Sequence, residues 1–265
     1  MQMNSPWKQA VNLGSAWAWR NGKLWHAKAS TEPTAQRRNS VLQSRFVGSI
    51  YADQNRSRGV QAALAELFAG LDKKEGVALN VGAGGTRYAG LVNLEISDGP
   101  GVDIIGHGSE LPFRDATVDL VIMQEVLEHV GEFLDLVKEV RRVLKPGGLF
   151  YCQVPFQIGF HPGPKDYWRF TRQGIEHIFS APRWEIKQLS ISLGHGSGFY
   201  RIAVEFFAVT ASCLWGKSYR PTKALAALLL YPLKWFDLLT ERSTEKDRIP
   251  GGYFCIARKI EPSGT

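Results

Sequence analysis

The feature that most constrains the fold is a series of short apolar segments, each followed by small or polar residues. Five such segments recur in the middle of the chain, at residues 77–81, 91–95, 102–105, 118–123 and 149–154. Each is too short for a stable helix, and near-continuous apolar runs of this length are typical of strands buried on both faces. The pattern therefore predicts a mainly parallel β-sheet.

Helical periodicity appears between and around these segments. Apolar residues recur every three or four positions over 60–71 and 133–144, and Lys145-Pro146-Gly147-Gly148 ends the second stretch. Further elements are predicted as a helix with Thr171 as its N-cap, helices over 201–240 and an edge strand over 252–258. Strands that alternate with helices indicate a Rossmann-like α/β fold with helices on both faces of the sheet.

The excess of basic residues is concentrated near the N-terminus. Residues 1–60 carry nine Lys or Arg against Glu32 and Asp53, which accounts for the whole formal net charge of +7. The same segment holds four tryptophans, Trp7, Trp17, Trp19 and Trp25. A basic, aromatic arm can bind phosphate-rich partners such as nucleic acid, anionic lipid or nucleotide-linked substrates.

An alternative is that this segment packs its tryptophans on the rest of the protein while its Lys and Arg side chains face water. We favour this alternative because Arg37-Arg38 is the segment's one tight basic pair. The chain is accordingly divided into a basic, Trp-rich N-terminal cap at residues 1–59, expected as loop and short helices, and a main domain at 60–265. An inserted lid that binds the acceptor is expected at about 156–250.

Composition bounds the class of protein. An apolar fraction of 44% and a charged fraction of 22% are ordinary for a soluble globular chain. Cys152, Cys213 and Cys255 lie far apart with no CxxC pair, which argues against a disulfide framework and a structural zinc site and favours the cytoplasm. Lys8 and Arg20 interrupt the apolar residues near the N-terminus, so no cleaved signal is expected.

No apolar stretch reaches the ~18–20 residues that a membrane-spanning helix needs. The two that come nearest are Ala203–Trp215, interrupted by Glu205, and Ala224–Leu233. The second continues to Leu239 in a pattern that would suit an amphipathic helix on a membrane surface. We favour a buried helix pair, with peripheral membrane contact as the alternative.

Chemistry is expected where strands end, because ligands of open α/β sheets bind beyond the carboxyl ends of the strands. Gly82-Ala83-Gly84 follows the first segment, and glycine lets the backbone approach a ligand closely. Glu95 ends the second segment, where a carboxylate can accept hydrogen bonds from both hydroxyls of a ribose. Arg87 stands where a dinucleotide fingerprint needs glycine, and the phosphate-loop motif is absent. A nucleoside site and a plain turn are the interpretations that remain.

Six motifs occur in order, and together they carry a family resemblance. They are the segment 77–85, Val92-Asn93-Leu94-Glu95, Leu111-Pro112-Phe113, Val118-Asp119-Leu120-Val121, Glu125-Val126-Leu127-Glu128-His129-Val130 and Arg142-Val143-Leu144-Lys145-Pro146-Gly147-Gly148. In this order and spacing they resemble the "type 11" group of class I methyltransferases, which depend on S-adenosylmethionine (SAM). The resemblance covers about residues 75–155 and implies a seven-stranded type of sheet with SAM as the cofactor. His161–Thr171 resembles a segment in a subset of these proteins that is linked to cell-surface glycan metabolism.

The resemblance also implies roles for single residues. Gly82, Ala83 and Gly84 would wrap the methionine and ribose parts of SAM, and Glu95 would hold the ribose hydroxyls. Two further segments complete the implied site. His107-Gly108 would lie beside the adenine, where the family has Asp and a small residue, and Met123-Gln124-Glu125 would lie near the methionine end. The connection from Gly84 to Glu95 is too short for a crossover with a full helix, so we expect a trimmed first helix.

A general base is needed in methyl transfer only when the attacking atom must lose a proton; alignment can supply much of the remaining catalysis. His129, after the fourth apolar segment, and His161, at the start of the lid, are the candidate bases because imidazole titrates near neutrality. A purely structural role in its loop is the alternative for each.

A divalent-metal site is a second possibility at the same place. Glu125, Glu128 and His129 are spaced i, i+3 and i+4, which would put them on one face of a helix or tight turn. These residues could bind Mg²⁺ or Mn²⁺, and His161 could complete the set of ligands. Some methyltransferases that act on a catechol or a ribose hydroxyl have a similar E-x-x-E-H segment. Because this segment is widespread in relatives without a metal, we assign no metal ligands.

The aromatic segment Tyr167–Phe170 is expected either to line the acceptor pocket, with Asp166 or Arg169 orienting a polar substrate, or to pack the lid onto the sheet. The favoured function is SAM-dependent methylation of an O or N atom of a small molecule or glycan precursor. One alternative is an RNA or DNA methyltransferase, favoured by the basic N-terminus but lacking an Asn/Asp-Pro-Pro-Tyr/Phe signature. The other is a SAM-binding regulator or scaffold without catalysis, favoured by His107 and the short connection.

Overall fold

The computed structural model describes residues 5–29, 57–72, 74–180, 182–240 and 242–261. The strands are β1 (Trp17–Arg20), β2 (Lys23–His26), β3 (Ala78–Val81), β4 (Val92–Glu95), β5 (Ile104–Ile105), β6 (Val118–Gln124), β7 (Leu144–Pro155), β8 (Trp184–Leu193) and β9 (Gly252–Lys259). The α-helices are α1 (Pro6–Ala10), α2 (Arg58–Ala69), α3 (Phe133–Val143), α4 (Arg172–Ile178), α5 (His195–Leu214), α6 (Tyr219–Leu229) and α7 (Asp237–Thr240). Two 3-10 helices cover Leu127–His129 and Tyr231–Phe236.

All of these strands belong to one sheet, in the order β1-β2-β5-β4-β3-β6-β7-β9-β8. The pairs from β2 to β7 are parallel, whereas β1–β2, β7–β9 and β8–β9 are antiparallel. The seven strands from β5 to β8 form the core of the sheet, and the β1–β2 hairpin extends its β5 edge. The predicted Rossmann-like fold with a mainly parallel sheet is therefore confirmed.

Helices cover both faces of the sheet, as expected. On one face, α3 and α4 pack on β3, β6 and β7 through buried residues such as Leu136, Val140 and Ile175. On the other face, α2 packs Val60 and Leu64 against the same strands. The N-cap of α4 is Thr171, whose Oγ1 accepts the Gly174 N–H at 3.0 Å, as predicted.

The connections β3–β4, β4–β5 and β5–β6 hold no helix in this fully described part of the chain. The expected trimming of the first helix is thus present: residues 82–91 cross between β3 and β4 as turns alone. Asn80 on β3 holds this connection in place, because its Nδ2 donates to the Thr86 carbonyl and to Asn93 Oδ1, both at 3.0 Å.

The described part of the N-terminal cap packs on the main domain. Trp7, Trp17 and Trp19 are half-buried against the core, which is the alternative favoured above. The expectation of loop and short helices holds for α1 but is wrong for residues 17–26, which form the hairpin. Its Asn21-Gly22 turn has φ values of 49° and 79°, as a tight two-residue hairpin turn requires. Arg37-Arg38 lies outside the described residues.

The segment expected as an inserted lid is not one structural unit. Residues 184–193 are β8, which pairs with β9 in the main sheet, and the sequence analysis did not predict this strand. Residues 195–240 are mainly helical, with a turn at 215–218, in agreement with the helices predicted over 201–240. The expected burial of this helix pair is wrong: Ala226 and Ala227 are buried, whereas Leu225, Leu228 and Leu229 are 56%, 59% and 66% exposed. Among the described residues no helix is both long and apolar enough to cross a membrane.

Candidate active site

The glycine-rich turn after β3 has a backbone that other residues could not adopt cheaply. Gly82 and Gly84 have φ values of 66° and 51°, in the left-handed region where a side chain is strained. A Cβ atom on Gly82 would lie 2.5 Å from Cγ2 of Val126. The Gly82 and Ala83 N–H groups both donate to the Leu94 carbonyl of β4, at 3.0 and 3.2 Å. The turn is therefore fixed tightly at the carboxyl ends of β3 and β4.

Glu95 lies at the carboxyl end of β4, beside this turn. Burial raises the pKa of its carboxyl, opposed by hydrogen bonds from the Ile96 and Gly84 N–H groups and by the charge of Arg87. A carboxylate that has lost much of its hydration is favoured by further donors. The two hydroxyls of a ribose would supply them, so Glu95 fits the cofactor role that the sequence implies.

The other implied cofactor residues lie at the ends of β5 and β6. His107 is exposed after β5. Gly108 is closely packed, because a Cβ there would lie 2.9 Å from both Leu136 and Val81. Gln124, the last residue of β6, accepts the Tyr88 hydroxyl at 2.6 Å. Each predicted cofactor residue is thus at or beyond the carboxyl end of its strand, where open α/β sheets bind ligands.

The turn after β6 connects this region with the candidate bases. Glu125 has a φ of 57°, unusual for a residue with a side chain, and its N–H donates to the Gln153 carbonyl at 2.9 Å. Val126 then contacts Gly82, and the 3-10 helix Leu127–His129 follows. The predicted shared helical face of Glu125, Glu128 and His129 does not form, since Glu125 precedes the helix in a left-handed conformation.

Glu128, His129 and His161 converge beside this turn. The two imidazole rings meet edge to face with centroids 5.2 Å apart. Nε2 of His129 and Nε2 of His161 each lie 3.7 Å from Glu128 Oε1. The Glu128 side chain is fully buried, and within the described part of the chain neither of its carboxylate oxygens accepts a hydrogen bond. Burial of a carboxylate without donors is costly, so this cluster is a candidate for a binding or catalytic site.

The hydrogen bonds of the two rings define which nitrogens face the cluster. His129 Nδ1 lies 2.5 Å from the Lys165 carbonyl, and His161 Nδ1 lies 3.0 Å from the Gly159 carbonyl. A carbonyl accepts only, so each neutral ring carries its proton on Nδ1 and presents the lone pair of Nε2. Burial lowers the pKa of His161, but Glu128, the Gly159 carbonyl and Asp166 outweigh it, and the net pKa is raised.

Asp166 and Arg169 hold the segment that carries His161. Arg169 donates to both Asp166 oxygens, at 2.6 and 2.8 Å, and to the Gly159 carbonyl at 3.0 Å. Asp166 also accepts the His161 N–H at 2.9 Å. The Arg169 guanidinium holds the pKa of Asp166 far below its usual range. Asp166 and Arg169 pair with each other and position the segment. The predicted role of either residue in orienting a substrate stays a prediction.

The aromatic residues of this segment divide between the two roles expected of them. Phe170 is buried and meets Phe133 edge to face at 5.2 Å, so it packs the segment onto the main domain. Tyr167 and Trp168 are 48% and 41% exposed, although Trp168 Nε1 donates to the Val130 carbonyl at 3.0 Å. The exposed faces of Tyr167 and Trp168 remain available to a ligand.

Comparison with known proteins finds similarity to methyltransferases over part of the chain. Residues 79–152 match the model of the family described as "Methyltransferase domain". This segment runs from β3 through β7 and includes the glycine-rich turn, Glu95 and the turn with His129. The expected family resemblance is confirmed for this domain.

Curated relatives match this chain over part of their length. A probable S-adenosylmethionine-dependent methyltransferase of Mycolicibacterium smegmatis is 39% identical over 38% of this chain and 35% of its own. The demethylmenaquinone methyltransferase of Bacillus pumilus is 30% identical over 52% of this chain and 56% of its own. The chain thus spans about a third to a half of the curated relatives it matches.

Solved structures overlap more of the chain at lower identity. A putative sarcosine dimethylglycine methyltransferase from Galdieria sulphuraria is 14% identical, covering 76% of this chain and 83% of its own, with a TM-score of 0.47. A Haemonchus contortus phosphoethanolamine N-methyltransferase bound to S-adenosylhomocysteine is 16% identical, covering 86% of this chain and 59% of its own, with a TM-score of 0.47.

Proposed function

We propose that this chain is an enzyme that transfers the methyl group of SAM to an oxygen or nitrogen atom of a small molecule or glycan precursor. The observation that carries the proposal is the turn after β6. It packs Val126 on Gly82 of the predicted cofactor turn and, three residues later, places His129 against His161. One short turn therefore contacts the predicted cofactor turn and carries the candidate base His129. Several relatives are demethylmenaquinone methyltransferases, which supports a small-molecule acceptor.

The proposed mechanism assigns a step to each group. When bound, SAM would supply the methyl group of its sulfonium, and the S–CH3 bond would break to release S-adenosylhomocysteine. Glu95 would accept hydrogen bonds from the ribose hydroxyls, and the backbone of Gly82–Gly84 would hold the ribose and methionine parts. Nε2 of His161 or His129 accepts the proton of an acceptor hydroxyl or amine. The imidazolium that forms lies beside the buried Glu128 carboxylate, which stabilises it in a region of low dielectric.

The cofactor half of the proposal is tested by titration calorimetry of the purified protein with SAM and with S-adenosylhomocysteine. We expect micromolar binding of both, lost in Glu95→Ala and retained in Glu66→Ala, which removes an exposed glutamate on α2. Absence of binding to the wild-type protein would overturn the proposal. Equal binding by both variants would remove Glu95 from the cofactor site.

The acceptor half is tested with SAM carrying a labelled methyl group, incubated with an extract separated into small molecules, glycans and nucleic acids. We expect label in the first two fractions, reduced at least tenfold by His161→Ala or His129→Ala. His177→Ala, an exposed histidine on α4, is the matched control. Label in the nucleic acids would favour the RNA or DNA methyltransferase instead. Cofactor binding without transfer to any fraction would favour the regulator or scaffold.

The same cluster supports a second mechanism, in which a divalent metal orients the acceptor. Ligand atoms of Glu128, His129 and His161 lie within 4.8 Å of one another, and each histidine donates its other ring N–H to a carbonyl, as metal-bound histidines usually do. Two imidazoles and one carboxylate suit Mn²⁺, Fe²⁺ or Zn²⁺ better than Mg²⁺. Glu125, part of the predicted set, is outside this cluster. The metal-free interpretation stays a prediction.

Manganese binding followed by electron paramagnetic resonance separates the two mechanisms. A metal site predicts stoichiometric loss of the free Mn²⁺ signal, abolished in Glu128→Gln and retained in Glu132→Gln, which alters an exposed glutamate just before α3. Full transfer activity in EDTA, with no Mn²⁺ bound, would establish histidine base catalysis without a metal.

A further inference from the structure

The helical unit formed by residues 195–240 exposes an unusual amount of apolar side chain. Its exposed large apolar residues are Phe199, Phe206, Phe207, Val209, Leu214, Trp215, Leu225, Leu228, Leu229, Trp235, Phe236, Leu238 and Leu239, each at least 48% exposed. Its own core is small and consists of Tyr200, Val204, Ala226 and Ala227 with two half-buried leucines. Large contiguous apolar surfaces on a folded chain mark sites of interaction.

Part of this surface forms a stripe along the chain. Leu225, Leu228 or Leu229, Pro232, Trp235 or Phe236, and Leu239 recur at intervals of three or four residues through α6, the second 3-10 helix and α7, and all are exposed. The opposite side of α6 carries Ala226 and Ala227, which pack on α5 through the core of the unit. The stripe therefore points away from the protein, as in helices that lie in a membrane interface.

The charges of the unit decide between possible partners. Glu205 and Asp237 are its acidic residues, and both are partly buried and paired within the unit. Glu205 accepts the Tyr219 hydroxyl at 2.7 Å and pairs with Lys223, whereas Asp237 accepts the Gly196 N–H at 2.7 Å and contacts Ser197. The exposed charged residues between 195 and 240 are Lys217 and Arg220, both cationic.

An apolar surface with exposed charges of one sign, all positive, complements an anionic lipid bilayer. Trp215 and Trp235 are 69% and 65% exposed, and tryptophan prefers the depth at which lipid headgroups meet acyl chains. A second copy of the chain would bring like charges together, which disfavours self-association through this face.

We propose that the helical unit is a docking surface for an anionic membrane, with the stripe from Leu225 to Leu239 inserted at the headgroup level and Lys217 and Arg220 against lipid phosphates. This inference does not depend on the proposed activity, since it concerns a surface formed by α5, α6 and α7. Docking on a membrane would explain why this unit carries many large apolar side chains that the fold leaves exposed.

The test is sedimentation of the full chain with sucrose-loaded vesicles of phosphatidylcholine alone and of phosphatidylcholine with 30 mol% phosphatidylglycerol, an estimate of a physiological anionic fraction. We expect binding to the anionic vesicles, weaker binding to neutral ones and weakening by salt. The double variant Leu228→Gln/Leu229→Gln should bind at least tenfold more weakly, because two leucine side chains leave the lipid. Leu134→Gln, a residue of α3 that is 52% exposed, is the matched control.

These substitutions replace exposed residues, so the thermal midpoints of the variants should match that of the wild-type protein, as circular dichroism would show. Failure of the wild-type protein to bind anionic vesicles would overturn the proposal. Equal binding by the double variant would overturn it as well. Light scattering gives the remaining outcome: if the wild-type protein dimerises without lipid and the double variant does not, the surface is an interface between two copies.

Discussion

At the scale of single residues, the glycine-rich turn gives the sharpest prediction. Gly82→Ala introduces a Cβ that meets Val126 at 2.5 Å, in a left-handed conformation that costs about 1–2 kcal/mol for a residue with a side chain. We expect a lower thermal midpoint and SAM binding at least tenfold weaker by calorimetry. Gly85→Ala is the control, because no atom of the described residues lies within 4 Å of its Cβ and its φ is not left-handed. Similar binding by the two variants would contradict the proposed closeness of this backbone to the ligand.

The titration of His161 is a second prediction at this scale. Its pKa is raised because contacts with Glu128, Gly159 and Asp166 outweigh burial, so its midpoint should lie above the usual value of about 6.5. The charged form then stabilises the fold below pH ~6.5, and this contribution is lost as the pH rises through the folded pKa. Histidine NMR in EDTA measures the midpoint. Glu128→Gln should lower it, whereas an unchanged midpoint would remove Glu128 as a cause.

At the scale of elements, the segment between β7 and α4 depends on the Asp166–Arg169 pair. Asp166→Asn removes the charge that accepts the His161 N–H and the Arg169 guanidinium, and loss of a buried charged hydrogen bond costs about 1–3 kcal/mol. We expect a lower thermal midpoint and faster proteolysis within residues 156–170. Asp135→Asn, which alters an exposed ion pair with Lys138, should leave both unchanged. Because the folded pKa of Asp166 is lowered, its stabilisation is present above pH ~4 and is lost in acid.

The elements also show where the sequence was informative. Long periodic stretches such as α3, and short apolar strands such as β3 and β6, were predicted correctly because one face or both faces are buried. The strand β8 was not predicted, because a bulge between Ile186 and Gln188 shifts its apolar residues from one alternation to the other. The β1–β2 hairpin was missed although Asn21-Gly22, the strongest short-range hairpin signal, is present.

The candidate site was predictable only in part, for a physical reason. Residues that follow a strand, such as Glu95 and Gln124, are placed by the sheet itself, so their positions follow from the predicted strands. The meeting of His161 with Glu128 depends on how a long segment returns to the sheet, and the Asp166–Arg169 pair that directs it has no sequence periodicity. Whether these residues bind SAM and move a proton stays a prediction.

At the scale of the whole molecule, the strands of one sheet contribute buried residues to the core on both of its faces. The described domain should therefore unfold as one unit. Saturation with S-adenosylhomocysteine at 100 times its Kd should add about 2.7 kcal/mol, which raises the thermal midpoint of a chain of this size by roughly 5–10 °C. The thermal midpoint from tryptophan fluorescence, to which the hairpin tryptophans contribute, should rise by the same amount as the midpoint from far-ultraviolet circular dichroism. Separate transitions would show that the hairpin is not part of the cooperative unit.

The helical unit lies against the segment that carries His161. A Cβ on Gly159, whose carbonyl accepts from His161, would lie 3.5 Å from Glu205 of α5, the residue that also pairs with Lys223 of α6. A docked helical unit would therefore hold the His161 segment next to the lipid. The rate of reaction with a lipid-borne acceptor would then depend on the mole fraction of that acceptor in the bilayer and not on its bulk concentration. Diluting the acceptor with inert lipid would slow the reaction, whereas diluting the whole suspension with buffer, while the protein stays bound, would leave the rate per enzyme unchanged.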